Sequence, residues 1–308
     1  MLRELGVRVG YGAGTGLNTV DAVRAEALWA HSAGFDSFWV SQVFGVDPIV
    51  ALAALSTEVP DLAELGTSVV PLTGRHPLAL AAQALTAQSA LDGRFTLGIG
   101  ASHQVVSEGF FGEPYAQAYA RTAQFLEALL PLLDGRSADV EGSEVFAKGW
   151  LSIEAAPVPV LLAALGPKML DLAGRVTAGT TLGSCGPATI ASHIVPLLTA
   201  ASSAAGQPSP RVVAQVGVCI TREIDELRAH AREVNAMYDT FASYRTALDR
   251  EGVESGADLL VAGDPDSIVE GLRAYVSAGV TDLRLAVSAR TNEEREATKA
   301  FLARAVRT

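Results

Sequence analysis

In Leu91-Asp92-Gly93-Arg94-Phe95-Thr96-Leu97-Gly98-Ile99-Gly100-Ala101-Ser102-His103-Gln104, an Asp-Gly pair closes a helix and a short apolar run follows from Phe95 to Ile99. A glycine-rich exit then carries Ser102, His103 and Gln104. This is the pattern of a buried parallel strand that empties into a polar pocket. Enzymes built on alternating strands and helices keep their chemistry in such loops, at the C-terminal ends of the strands. His103 then faces a ligand; the competing reading makes it a surface loop residue, with Gly98 and Gly100 only relieving crowding.

The same strand-then-helix pattern extends in both directions. Before this stretch, Val7–Gly10, Ser37–Val40 and Leu65–Val70 read as strands one to three, each followed by a helix start: Asn18 or Thr19, Asp47-Pro48, and His76-Pro77. His76 reads equally as a cap or a ligand. After it come a helix from about Tyr119 to Leu133 and an irregular polar stretch, 135–156. Val158–Ala163, Thr180–Leu182, Val212–Ile220 and Thr281–Ala286 read as strands, with a further short strand at Asp258–Val261. Eight strands alternating with helices over 308 residues fit an α/β fold of the (β/α)8 TIM-barrel class, a single domain spanning 1–308. The segment 135–156 is expected as an insertion after strand 4, and 238–257 as a second loop region at the active-site face. Tyr11-Gly-Ala-Gly-Thr-Gly16 is not a dinucleotide fingerprint, because in every register the last glycine of GxGxxG falls on Thr15, Leu17 or Thr19.

Composition removes several function classes. With 34 acids against 23 bases, the net charge of −11 argues against nucleic acid or an anionic membrane surface as a partner. No apolar run approaches the ~18 residues of a membrane span. The N-terminus, Met1-Leu-Arg-Glu-Leu-Gly6, lacks the pattern of an export signal, so a cytoplasmic location is expected. Cys185 and Cys219 are far apart, lack metal-ligand spacing and read as buried fillers. An acidic chain that binds an anionic cofactor must concentrate its positive charge locally, which directs attention to Arg75, Arg94, Lys148 and Lys168.

The strand exits are chemically sparse. They offer Ser41-Gln42-Val43, Val70-Pro71-Leu72, Ser102-His103-Gln104, Ala164-Leu165-Gly166-Pro167-Lys168 and Gly183-Ser-Cys-Gly186. Paired carboxylates for glycoside hydrolysis, metal-ligand spacing and a nucleophile elbow are all missing. A bound cofactor then performs the hard step, while the protein supplies position and one proton donor. Two helix starts, Gly166-Pro-Lys and Gly186-Pro-Ala-Thr, are candidate phosphate sites, and Lys168 adds a point charge at the first.

Phe38-Trp-Val-Ser-Gln-Val-Phe-Gly45, Gly66-Thr-Ser-Val-Val-Pro71, Arg75-His-Pro77, the run from Gly93 to Val106, Ala163-Ala-Leu-Gly-Pro167 and Tyr244–Gly252 together resemble the luciferase-like oxidoreductases that use the deazaflavin coenzyme F420. The resemblance covers almost the whole chain. It implies a barrel with an insertion, often a homodimer, and a deazaflavin held at the strands' C-terminal ends. It also implies a non-prolyl cis peptide at Ser68-Val69, behind the cofactor ring. By the same carry-over Val70 and Pro71 lie near the ring, and Gly100, Ala101 and Ser102 along its side. Ala164, Leu165 and Gly166, with Pro167 and Lys168 at the helix start, lie near the ribityl chain and phosphate.

Two positions depart from the sugar-phosphate dehydrogenases of that family. Where those enzymes end strand two in an acid followed by a catalytic histidine, this chain has Gln42 and Val43. Where they have a glutamate after strand four, it has His103. These departures point away from alcohol oxidation and toward a reductase. His103 then protonates the atom beside the one that receives hydride, with Gln42 flanking a small-molecule acceptor and Tyr244 or Arg245 closing over it. The alternatives are an FMN-dependent monooxygenase on the same barrel and a member that binds cofactor without turnover.

Overall fold

The computed structural model describes all residues of the chain except Thr15 and Val43. Val43, paired above with Gln42, thus lies outside the described residues. Eight parallel strands close into a barrel: β1 (Arg8–Gly12), β2 (Ser37–Val40), β3 (Glu64–Thr67), β4 (Phe95–Gly100), β5 (Val160–Leu162), β6 (Gly179–Leu182), β7 (Arg211–Ile220) and β8 (Asp282–Val287). Each pairs with the next, and β8 returns to β1 with Gly10 opposite Arg284. No helix among the described residues is long and apolar enough to cross a membrane.

Helix starts follow the capping chemistry. The Thr19 hydroxyl accepts from Ala22 N at 3.1 Å, and Asp47 accepts from Ile49 N and Val50 N. His76 is a cap: its Nδ1 accepts from Leu78 N at 3.2 Å, and its Nε2 bonds the Phe146 carbonyl at 2.8 Å.

Four segments differ from the sequence expectation. Strand three stops at Thr67, and Val70–Pro71 pairs separately with Ile99 and Gly100, because the chain bulges at Ser68-Val69. A helix forms at Gln104–Phe111. The stretch 135–156 contains an antiparallel hairpin, Ala138–Glu141 with Phe146–Gly149, across which Lys148 bridges Asp139 and Glu141. Asp258 is not in a strand: a capping box between Ser255 and Asp258 winds Gly256–Leu259 into a 3-10 turn. The short strand moves to Val261–Gly263, beside β7 and outside the barrel ring.

Alternation along the strands sends one set of side chains outward to the helices and the other into the barrel. The interior has three layers. At the N-terminal end Glu64 and Asp282 are held by Arg211 at 2.8 and 2.6 Å, with Arg8 pairing both acids and Thr96 donating to Glu64. Trp39, Leu161 and Val213 fill the middle. The layer nearest the mouth is polar, with Ser68, Thr181 and Arg284.

Candidate active site

The exits of β3, β4 and β5 form one continuous wall at the mouth. Leu72 N donates to Gly100 O at 2.9 Å, and Ala163 N to Ile99 O at 2.8 Å. A Cβ on Gly100 would lie 3.1 Å from Val69 Cγ2 and 3.3 Å from Ala163 Cβ, so the missing side chain lets these exits close up. The Ser68-Val69 peptide is cis. Its surroundings hold it on every side: Ser68 O accepts from Ser41 Oγ at 2.5 Å and Arg284 Nη1 at 3.0 Å. Ser68 Oγ meets Thr181 Oγ1 at 2.8 Å, and Val69 O accepts from Gln42 N at 3.1 Å.

Gln42 has a fixed role. Its Oε1 accepts from Arg75 Nη2 at 2.6 Å, and the same guanidinium bonds Gln83 and Asp47. That bond fixes the orientation of the amide and leaves both N–H groups to donate, with one acceptor site still on the oxygen; a carboxamide is not a base.

His103 follows Ser102 on the β4 exit, at the edge of this wall. Its ring centroid is 4.3 Å from Phe241, 5.5 Å from Tyr244 and 6.1 Å from Tyr238, all on the segment between β7 and β8. The imidazole makes no cap bond to the helix it precedes. Burial under these rings lowers its pKa, because a charged imidazolium loses solvation there. Burial also pushes the Tyr244 hydroxyl up to about 12.

Residues 4–282 match the family model described as luciferase-like monooxygenase. The chain belongs to that family. Among its relatives is an F420-dependent glucose-6-phosphate dehydrogenase of Beutenbergia cavernae, 29% identical with 90% of each chain covered. Another is the 5,10-methylenetetrahydromethanopterin reductase of Methanolobus tindarius, 24% identical with 83% of this chain and 78% of that one covered. In fold, the luciferase-like barrel is similar to an F420-dependent secondary alcohol dehydrogenase in complex with an F420-acetone adduct, with a TM-score of 0.80. That likeness covers 96% of this chain and 97% of the other at 17% identity.

The structure distributes the expected site residues of this luciferase-like chain as follows. Ser68, Val69, Val70, Pro71, Gly100, Ala101, Ser102, Ala164 and Leu165 share the wall of adjacent exits. Gly166, Pro167 and Lys168 follow at its edge, exposed, with Lys168 Nζ 6.0 Å above the Tyr119 ring. The start of helix Pro167–Val176 has no side-chain cap, and the space beside Gly166 is open. The other candidate phosphate site is filled. Glu251 places its carboxylate on Ala188 N at 3.1 Å and Thr189 N at 2.7 Å, in the space a side chain on Gly186 would take.

Of the four cations singled out in the sequence, only Arg75 and Lys168 stand at the mouth. Arg94 bonds the carbonyls of Ser56, Val59, Leu62 and Leu91, and Lys148 belongs to the hairpin. Arg245 does not cover the site either, since it bonds Asp249 and the Val253 carbonyl; Tyr244 takes that place. Both cysteines are buried, with Cys185 pushed up to about 12 and Cys219 to about 11 by loss of solvent. They are protonated fillers. No group of three or more potential metal ligands exists among the described residues.

Proposed function

We propose that this chain is a coenzyme F420-dependent oxidoreductase. It works as a reductase on an activated C=C, C=N or similar small-molecule acceptor, with His103 as proton donor and Gln42 as a hydrogen-bond donor to the acceptor. The observation that carries the reading is His103 under an aromatic cover, beside a nearly uncharged wall of three adjacent strand exits. The relative named as an F420-dependent glucose-6-phosphate dehydrogenase supports the cofactor.

The residues fit a deazaflavin. The wall from Ser68 to Pro71 and from Gly100 to Ser102 offers backbone and small groups to a flat ring. The uncapped helix start at Gly166, beside exposed Lys168, offers N–H groups and a charge to a phosphate. Coenzyme F420 supplies two-electron hydride chemistry when bound. The protein's part is to exclude water, to orient the acceptor through the Gln42 amide, and to deliver a proton from His103. Arg75 holds the Gln42 amide in one orientation. As part of the same reading, 1–308 acts as one barrel domain, with 135–156 and 238–257 shaping the active-site face. It works in the cytoplasm as a homodimer, as the family resemblance implies.

An absorbance titration of the purified protein with coenzyme F420 and, separately, FMN tests the cofactor. Saturable F420 binding is expected; FMN binding alone would replace this reading with the monooxygenase one. Oxidation of reduced F420 across a panel of acceptors then tests the reductase, and His103→Ala should lower turnover by about 10²–10⁴-fold.

A further inference from the structure

Arg284 differs in its surroundings from the other arginine of the barrel interior. Arg211 lies between Glu64 and Asp282, but no carboxylate pairs with Arg284 among the described residues. It is only 3% exposed, points inward from β8, and spends Nη1 on the Ser68 carbonyl. Its buried Nε has no partner, and Nη2 makes no hydrogen bond among the described residues. Burial pulls its pKa down to about 9, and Tyr244 is the neighbour that opposes this. The fold keeps room for it: a Cβ on Gly12 would lie 3.1 Å from Arg284 Cγ.

An uncompensated buried cation costs several kcal/mol, and an apolar chain of similar size would fill the space without that cost. A buried cation left without a counter-charge, its guanidinium only partly hydrogen-bonded, marks a candidate functional site, where a ligand brings the missing charge. The free Nε–Nη2 edge is the fork that grips a carboxylate with two parallel bonds. One lone cation balances a monoanion and falls short for a phosphate dianion. Tyr244 links Arg284 to His103: it interacts electrostatically with the first and packs 5.5 Å from the second.

We propose that Arg284 is the carboxylate-binding residue of the acceptor pocket, and that the acceptor is a small enoate, a monocarboxylate conjugated to the double bond that is reduced. This rests on the reductase reading above. As hydride reaches the carbon β to the carboxylate, a C–H bond forms there with the hydride's electron pair and the C=C π bond breaks. Charge moves toward the carboxylate oxygens, where Arg284 stabilises it, and the α carbon takes its proton from His103. Reduced F420 is the two-electron donor.

The test is calorimetric binding of crotonate against crotonamide, and of trans-cinnamate against trans-cinnamamide, with and without saturating F420. The wild-type protein should bind at least one acid about tenfold more tightly than its amide. Arg284→Met should bring that ratio to about one, while Arg284→Lys keeps part of it. Because Arg284 also holds the Ser68 carbonyl, the acid-to-amide ratio at saturating F420 is the deciding readout: loss of a mere strut would weaken acid and amide alike and leave their ratio unchanged. Equal binding of acid and amide, no binding of either acid, or a preference that survives Arg284→Met overturns the proposal. Should Arg284→Met not fold, the wild-type ratio and Arg284→Lys decide. An acid preference that depends on Arg284 in a protein that ignores F420 would remove the cofactor reading and leave this site standing.

Discussion

The imidazole of His103 lies 4.3 Å, centroid to centroid, from the ring of Phe241, tilted by 31°. This contact helps keep water from the imidazole and so lowers its pKa. Phe241→Ala should let water in and return the His103 pKa toward 6.5. Titration of the His103 ring signals by NMR measures it, and an unmoved pKa would place the desolvation elsewhere.

The sign of the pH dependence follows. Between the lowered folded pKa of His103 and its ordinary 6.5, the unfolded chain holds a proton that the folded chain does not. Stability from this group is thus present above 6.5 and is lost as pH falls toward the folded value. His103→Phe should flatten that slope in urea unfolding at a series of pH values. Acceptor reduction runs the other way: with imidazolium as proton donor, the rate should fall as pH rises through a value below 6.5.

Arg75 is bonded to Gln42, Gln83 and Asp47 at once. Arg75→Met leaves three acceptors without their donor and should cost about 1–3 kcal/mol of stability in denaturant unfolding. It also frees the Gln42 amide to turn its oxygen to the mouth, so KM for the acceptor should rise more than kcat falls.

Glu251 serves as the cap of the helix that begins at Pro187, although it is 62 residues away from Thr189. Glu251→Ala exposes two backbone N–H groups and should cost about 1–2 kcal/mol, the size of a lost helix cap. Gly186→Ala should cost up to as much, since its Cβ would lie 2.3 Å from Glu251 Cδ and push that carboxylate off the two N–H groups. Thermal unfolding of both variants, alone and combined, checks the shared origin: the double variant should lose less than the sum.

In the ionic layer, Glu64→Leu leaves Arg211 and Arg8 without one of their two acids. The loss should be about 3 kcal/mol, the lower end for a broken buried pair, because both arginines keep some contact with water. Chemical denaturation reads it directly.

Most of the barrel was legible because strand and helix periods alternate so regularly, and because Asp47, His76 and Thr19 mark helix starts chemically. The cis bond at Ser68-Val69 came from family likeness, as nothing in the residues themselves specifies it. Arg284 was missed because reading Thr281–Ala286 as a strand gave no direction to its charges. In a barrel strand neither face meets water, so a charge between Leu283 and Leu285 had to point inward, and that was the available signal. Glu251 could not be assigned, since its partners are distant in sequence. The helix Gln104–Phe111 was hidden by Gly109 and by a first turn with no side-chain cap.

The barrel's floor has a kinetic consequence. With Glu64, Asp282, Arg211 and Trp39 packed across the interior, reactant and product of the proposed reaction pass at the mouth, beside Tyr238, Phe241 and Tyr244. On that proposed reading the rings move aside for each entry and each exit, which makes product departure a step able to set the pace.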